Sequence, residues 1–339
     1  MGRIVWVLIS FLILGTLLVG CGEKSAEEII RDLSTQSEKV ESYKSKGKMT
    51  IETGMEPQEY EVEVWYKKPH YYRVALNNLK KDVTQILLRN DDGVYVLTPH
   101  LKKSFRFMSD WPESSGQVYL YKTLLQSIVD DPERKFEPGE KGYQFEVIAN
   151  YTQNQSLSTQ RIWLNKKLHP EKVDVLDAEG KVLVKVVFDE FKVGVSFDED
   201  AFEVERNMSV TEGKALPTIV EPNKKEANLR IVTPGWIPEG SRLVDEQTVD
   251  RPEGKVVIMR YQGERPFTLT QERQRAIEAS LPLQGKPIHL GFTTGVLLET
   301  EAKKRLSWTY EGTDFELYGN LPVQDMIRIA ESVFDQPDK

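Results

Sequence analysis

The hydrophobic and polar positions change period along the chain, and each period predicts a different element. Ile4–Val19 is an uncharged apolar run behind Met1-Gly2-Arg3. Ser25-Ala26-Glu27-Glu28 is a capping box, in which a hydroxyl and a glutamate three residues later satisfy free N–H groups at a helix start. Ile29, Leu33, Val40 and Tyr43 follow at helical spacing. The polar face between them is mixed in charge rather than basic, so this helix is expected to pack on its own domain. From Gly47 to about Phe197 the period is two. Tyr60, Val62 and Val64 alternate with Glu59, Glu61 and Glu63; Tyr72, Val74 and Leu76 with Tyr71, Arg73 and Ala75; Tyr143, Phe145 and Val147 with Gln144 and Glu146. Phe105 and Phe107 flank Arg106, and Val182, Val184 and Val186 alternate with Leu183 and Lys185. Asn90-Asp91-Asp92-Gly93 and Asp177-Ala178-Glu179-Gly180 are hairpin turns. One helix, Val118–Val129, interrupts the strands, with Val118, Tyr121, Leu125 and Ile128 on one face. Ile86-Leu87-Leu88 is apolar on both strand faces, as is Leu183 opposite Val182 and Val184. One sheet face must therefore be covered by helices, or it lines an apolar hollow.

Glu212–Ala227 is charged, holds Pro217 and Pro222, lacks periodicity and reads as a linker. The strand pattern then restarts at Leu229–Val232. It continues through Val256–Tyr261, Phe267–Gln271, Val296–Glu299, Leu306–Tyr310 and Phe315–Tyr318, the last hairpin turning at Glu311-Gly312-Thr313-Asp314. A final helix after Leu321-Pro322 is expected to bury Val323, Ile327, Ala330 and Phe334. The expected organisation is a signal segment at 1–20, a first domain at 21–211, a linker at 212–227 and a small α+β domain at 228–339. The fold class is mostly β (α+β), with a curved antiparallel sheet in the first domain.

Charge and cysteine usage narrow the function. A formal charge of −8, made one unit more negative if 1–20 and its Arg3 are removed, makes nucleic acid a poor partner. Lys80-Lys81, Lys102-Lys103, Lys166-Lys167 and Lys303-Lys304-Arg305 are scattered and read as solvated strand ends. The single cysteine, Cys21, excludes intramolecular disulfides and cysteine-based metal sites. It follows Leu18-Val19-Gly20 at the end of the apolar run, and this resembles the lipobox of bacterial lipoprotein precursors. The resemblance implies cleavage before Cys21, acyl lipid on that cysteine, and a lipid-anchored chain on the extracytoplasmic face of the cell membrane. An uncleaved membrane helix is the weaker reading, and Trp6 breaks a myristoylation motif.

Val64-Trp65-Tyr66-Lys67-Lys68-Pro69, and the later hairpin around Asp92-Gly93-Val94-Tyr95-Val96-Leu97-Thr98-Pro99, resemble the LolA-like lipoprotein-carrier superfamily over roughly residues 25–210. The whole chain is similar to sporulation-associated lipoproteins of bacilli. The resemblance implies an unclosed β-barrel with a helical lid over an apolar cavity for acyl chains. Val62, Val64, Tyr72, Val74, Phe105, Phe107 and Leu125 are then the candidate lining residues, and Val118–Val129 the candidate lid. Trp65, Trp111 and Trp163 either join that lining or belong to ordinary core and convex-face packing. Family carriers have an arginine before the proline that holds the lid; Lys68 stands there and is the candidate lid contact, with a less specific grip. That substitution and the anchor argue against cargo ferrying. Pro234–Gly240 through Trp308 to Val333 resembles a small domain of unknown function from Gram-positive exported proteins. The two-domain order also looks like periplasmic regulators that bind an anti-sigma factor.

Catalytic constellations are missing from the sequence. His70, His100, His169 and His289 are far apart and expected in turns, and no nucleophile elbow or phosphate loop occurs. Asp91-Asp92 and Asp198-Glu199-Asp200 are expected to cap turns rather than bind calcium. The expectation is a non-enzymatic binding protein with no metal and no cofactor beyond lipid on Cys21. Its partners would be the membrane through the anchor, with a lipid, a lipoprotein or an envelope protein as ligand. The alternative is a two-domain regulatory sensor for the extracellular part of a signalling membrane protein.

Overall fold

The computed structural model describes residues 24–52, 57–80, 83–107, 111, 117–149, 157–209, 231–251, 254–273, 285–290, 294–300, 303–310 and 313–333. Cys21, the segment 1–20, the expected linker at 212–227, Glu311-Gly312 and Phe334 lie outside them, as do the side chains of Phe107 and His289.

Two antiparallel sheets account for most of the described chain. The first runs β1 (Ser42–Ile51), β2 (Gln58–Lys67), β3 (Tyr71–Asn78), β4 (Val83–Asn90), β5 (Gly93–Thr98), β6 (Lys103–Phe107), β7 (Lys135–Pro138), β8 (Gly142–Ile148), β9 (Thr159–Asn165), β10 (Pro170–Leu176) and β11 (Val182–Val193). Its spatial order is β6-β5-β4-β3-β2-β1-β11-β10-β9-β8-β7. Two meanders therefore meet at β1–β11, and β6 and β7 end the sheet without joining. Gly47 sits at a bulge in this seam, where a Cβ would come 2.4 Å from the Val187 carbonyl oxygen. The hairpins form where the turn chemistry placed them: Asn90 Oδ1 accepts from the N–H groups of Asp92 and Gly93, and Asp177 Oδ1 from those of Glu179 and Lys181.

Helices α1 (Ala26–Lys39) and α2 (Tyr121–Asp130) cover one face of this sheet. The capping box is present: Glu28 N–H donates to Ser25 Oγ at 3.3 Å, and Ser25 N–H to the Glu28 carboxylate at 2.9 Å. Ile29 and Leu33 are buried as expected, but the helix ends at Lys39. Val40 is its C-cap and Tyr43 already belongs to β1. Helix α3 (Val204–Ser209) and the segment before it cover part of the opposite face.

The second sheet contains β12 (Arg242–Arg251), β13 (Gly254–Gln262), β14 (Phe267–Arg273), β15 (Lys286–His289), β16 (Thr294–Glu299), β17 (Lys304–Tyr310) and β18 (Thr313–Gly319), in the order β12-β13-β14-β18-β17-β16-β15. Helix α4 (Val323–Ser332) buries Met326, Ile327, Ile329 and Ala330 against it, with Val323 only half-buried. Three expectations need correcting. β12 and β15 were not predicted, and His289 is a strand residue, not a turn residue. Ile231-Val232 is not a strand: the side-chain amide of buried Gln271 bonds both the N–H (2.9 Å) and the carbonyl (2.5 Å) of Val232, satisfying that backbone without a ladder. The fold class stands: mostly β, an unclosed antiparallel sheet with a helical cover, then a small α+β domain.

Candidate binding face and its helical cover

Alternation in β2–β6 sorts side chains onto two faces. Val62 pairs with Leu76, Val64 with Val74, and Tyr66 with Tyr72. Leu87 pairs with Val96, which pairs in turn with Phe105. Val62, Val64, Tyr72 and Val74 are all buried in one apolar cluster together with Leu125 of α2. Phe105 packs against that cluster half-buried. The backbone of Phe107 pairs with Val94 in β6. The candidate lining residues with described side chains thus do share a face.

What fills the space over that face is the protein itself. Tyr121, Leu124, Leu125 and Ile128 of α2 are 0–1% exposed, and Trp111, Tyr119 and Leu120 are buried beside them. The Tyr43 ring lies 5.3 Å from Tyr66, 5.4 Å from Phe191 and 5.8 Å edge-on from Tyr121, and Tyr72 lies 5.9 Å from Trp111. The polar fastenings of the helices are fewer. Gln36 Nε2 donates to the Tyr121 hydroxyl at 2.7 Å, and that hydroxyl donates to the Leu168 carbonyl at 2.8 Å. Tyr121 N–H donates to the Tyr43 hydroxyl at 3.3 Å. Burial pushes the Tyr121 phenol well up, the Gln36 bond only partly offsetting it, so it stays a neutral hydroxyl. Burial likewise raises Tyr43.

Lys68 contacts the cover, but at α1 rather than at α2. Its Nζ donates to the Glu38 carbonyl at 3.4 Å in the last turn of α1 and meets the Glu41 carboxylate at 2.9 Å. A cation at a helix C-terminus complements the free carbonyls there. Half of the Lys68 side chain is exposed, so the grip is weak.

The opposite face of β3–β5 explains the doubly apolar strand. Leu87 enters the helix-covered cluster, whereas Ile86 and Leu88 pack with Tyr95, Leu97, Ala201 and Phe202. Arg73, which alternation marked only as polar, is 5% exposed on this face. Its Nε donates to Asn207 Oδ1 at 2.6 Å, its guanidinium pairs with Glu63 at 3.0 Å, and it stacks 4.4 Å from the Trp65 ring. Trp65 is therefore on the face away from α1 and α2, also stacked on Phe197. Trp163 sits half-buried under Lys172 at 4.2 Å. Burial pushes Glu63 up, but Lys44, Arg73 and Lys46 outweigh it and hold the carboxyl below its ordinary range. The acidic turns are also paired: Arg206 binds Asp198 at 2.9 Å and reaches Asp200, while His70 and Tyr71 hold Asp91.

A contact between the two sheets went unpredicted from the sequence. Lys103 is 2% exposed, and its Nζ lies 2.7 Å from both carboxylate oxygens of Asp314. The solvated role expected for Lys102-Lys103 therefore fails for Lys103, because β18 supplies its counter-ion. Beside it, Gln85 Oε1 accepts from Thr294 N–H at 2.7 Å, and Gln85 Nε2 donates to the Thr294 carbonyl at 3.4 Å. In β16, Val296 and Leu298 pack on the first sheet's cluster, and Leu297 on the second's. The run Val296-Leu297-Leu298, apolar on both strand faces, was the available signal.

The sequence of this chain matches the family described as "Sporulation protein YdcC-like" over residues 1–202 and a domain of unknown function (DUF4367) over 231–333. It is 42% identical to the sporulation protein YdcC of Bacillus subtilis (strain 168), covering 98% of this chain and 97% of that one. The chain belongs to the YdcC-like sporulation protein family. Solved structures overlap it more loosely. The Pseudomonas aeruginosa MucA/MucB complex has a chain 14% identical that covers 91% of this one and is itself 98% covered, with a TM-score of 0.34. The complex of the CwlD amidase with the GerS lipoprotein from Clostridioides difficile has a chain 19% identical, covering 51% and itself 99% covered, at 0.29. Overlaps this loose say nothing about what the chain binds.

Proposed function

We propose that this protein is a non-enzymatic lipoprotein of the sporulating cell's envelope, anchored through acylated Cys21, that binds an apolar ligand under its helical cover. The ligand would be an acyl chain or the lipidated end of another envelope protein. The observation that carries the reading is the unclosed sheet whose continuous apolar face is covered by α1 and α2, largely through non-directional contacts. A cover of this kind can be replaced by any apolar chain of matching size, whereas a ladder of strands could not. The lipobox at Leu18–Cys21 supports the anchor, and membership of a sporulation family supports the setting.

Native mass spectrometry with lipid extraction on the chain from Gly22 onward tests the ligand. Stoichiometric acyl species, or displacement of a fluorescent fatty acid, is the expected result. A clean apo mass with no fatty-acid binding would overturn it.

A second reading rests on a separate observation. The buried Lys103–Asp314 pair and the Gln85–Thr294 bonds join the two sheets, so a partner could recognise both domains as one surface. On that reading the chain is a regulatory sensor for a signalling membrane protein, and crosslinks from the second domain to such a partner would favour it.

A further inference from the structure

Four lysines from two separate segments of the chain line one cleft. The cleft, about 380 Å³, opens between α1 and the turn joining β9 to β10. Lys24 and Lys39 line it from either end of α1, and Lys166 and Lys167 from the turn, with Asp32 as the acid among the lining residues. Lys24 pairs with Asp32 at 2.6 Å, and Lys166 leans 4.7 Å over the Tyr143 ring. Lys39 and Lys167 are exposed and form no ion pair among the described residues. On a chain of net charge −8 this is a local excess of positive charge, which attracts anions.

The cleft is built rather than incidental. Leu168 adopts a left-handed φ of 64°, and Asn165 Oδ1 accepts from the N–H groups of Lys167 and His169, fixing the turn. The turn is then tied to the helices, since Gln36 Nε2 reaches the Lys167 carbonyl at 3.5 Å and the Tyr121 hydroxyl donates to that of Leu168. The backbone that carries Lys166 and Lys167 is thereby fixed opposite α1 before any ligand arrives.

Position supplies the source of the anion. Lys24 is three residues from Cys21, a span of at most roughly 11 Å of extended chain. That is comparable to the distance over which charge is screened at physiological salt, about 8 Å. We propose that the cleft binds the phosphodiester headgroup of an anionic phospholipid in the membrane that holds the anchor, and so fixes which side of the molecule faces the bilayer. The proposal rests on the anchor reading of Cys21.

The test is hydrogen exchange on the full acylated chain, placed on vesicles of phosphatidylcholine alone or of an equal mixture with phosphatidylglycerol. Slower exchange in α1 and residues 165–169 on the anionic vesicles, with β2 and β3 unchanged, is expected. The variant Lys39→Gln/Lys167→Gln should lose this difference while keeping its exchange elsewhere, and should weaken attachment by roughly 30-fold, from about 1 kcal/mol for each lysine near an anionic surface. Equal exchange on both vesicles would overturn the proposal. So would equal slowing in the variant, or slowing by free glycerol phosphate as strong as that by the vesicles, which would assign the cleft to a soluble phosphoester. Failure of the anchor reading looks different, because the chain would then not float with neutral vesicles. In that event, salt-sensitive binding to the anionic vesicles that the double variant loses supports the cleft, and no binding overturns it.

Discussion

The helical cover of the first sheet and the seam between the two sheets are both buried contacts, yet they are made of different chemistry. Beneath α2 and its Leu125 lie Tyr43, Val64 and Val74, held chiefly by apolar area. At the seam, a lysine and an aspartate meet at 2.7 Å beside a doubly hydrogen-bonded glutamine. Apolar burial rewards area and tolerates exchange of one partner for another. A buried ion pair tolerates little, because separating it strands charge away from water. The difference indicates which contact is suited to yielding and which to holding register.

The largest expected effect breaks the seam. Lys103→Met should cost about 3 kcal/mol and split thermal unfolding into two transitions, because the Asp314 carboxylate loses a buried counter-ion. Lys103→Met/Asp314→Leu should recover most of the loss, and calorimetry reads both. Leu125→Ala should cost a comparable or slightly smaller amount, about 2–3 kcal/mol, confined to the first domain's transition. If the cover yields as proposed, this variant should also expose α2 to exchange before the sheet.

pH should separate the domains in opposite directions. Glu63 in the first sheet is held below its ordinary value of 4.5, so its contribution is complete above that value and fades as pH falls below it. Glu331 on α4 is pushed up to about 7 by burial, which Arg328 only partly offsets. Its protonated form is favoured by folding, so that contribution is complete below 4.5 and is lost as pH rises from there to about 7. Unfolding followed from pH 4 to 8 should show the second domain weakening, and Glu331→Gln should flatten that slope. Smallest of all, Lys68→Ala should cost under about 1 kcal/mol, fraying the end of α1 without releasing α2.

Sequence patterning reads the local parts of this molecule and misses what is distant. The capping box at Ser25–Glu28, the Asn90–Gly93 and Asp177–Gly180 turns and the alternation in β2, β3 and β8 depend on neighbours a few residues away. β12 has no such pattern because Leu243 and Val244 are exposed and charge lies on both faces, so neither face carries an apolar signature. Lys103 and Asp314 are 211 residues apart, and Gln85 and Thr294 are 209 apart, so nothing local announces either pair. The candidate lining face was legible as a set of alternating positions. Whether it enclosed a hollow or packed core depended on α2 and on Trp111, whose seats are set by tertiary packing. Lys166-Lys167 read as a solvated strand end because its companions, Lys24 and Lys39, come from another element.

The seam at β1 and β11 also sets the order in which the first domain can assemble. β1 through β6 is a run of sequential hairpins and can zip locally as the chain emerges, and so can β7 through β11. β1 nevertheless waits for its second neighbour until residues 184–193 are available, and Arg73 waits for Asn207. Contacts this distant raise contact order and slow the final step. Until then the half-sheet keeps an open flank along Ser42–Ile51, so a chain made from its N-terminus passes through an interval in which that strand must be kept from pairing with a stranger.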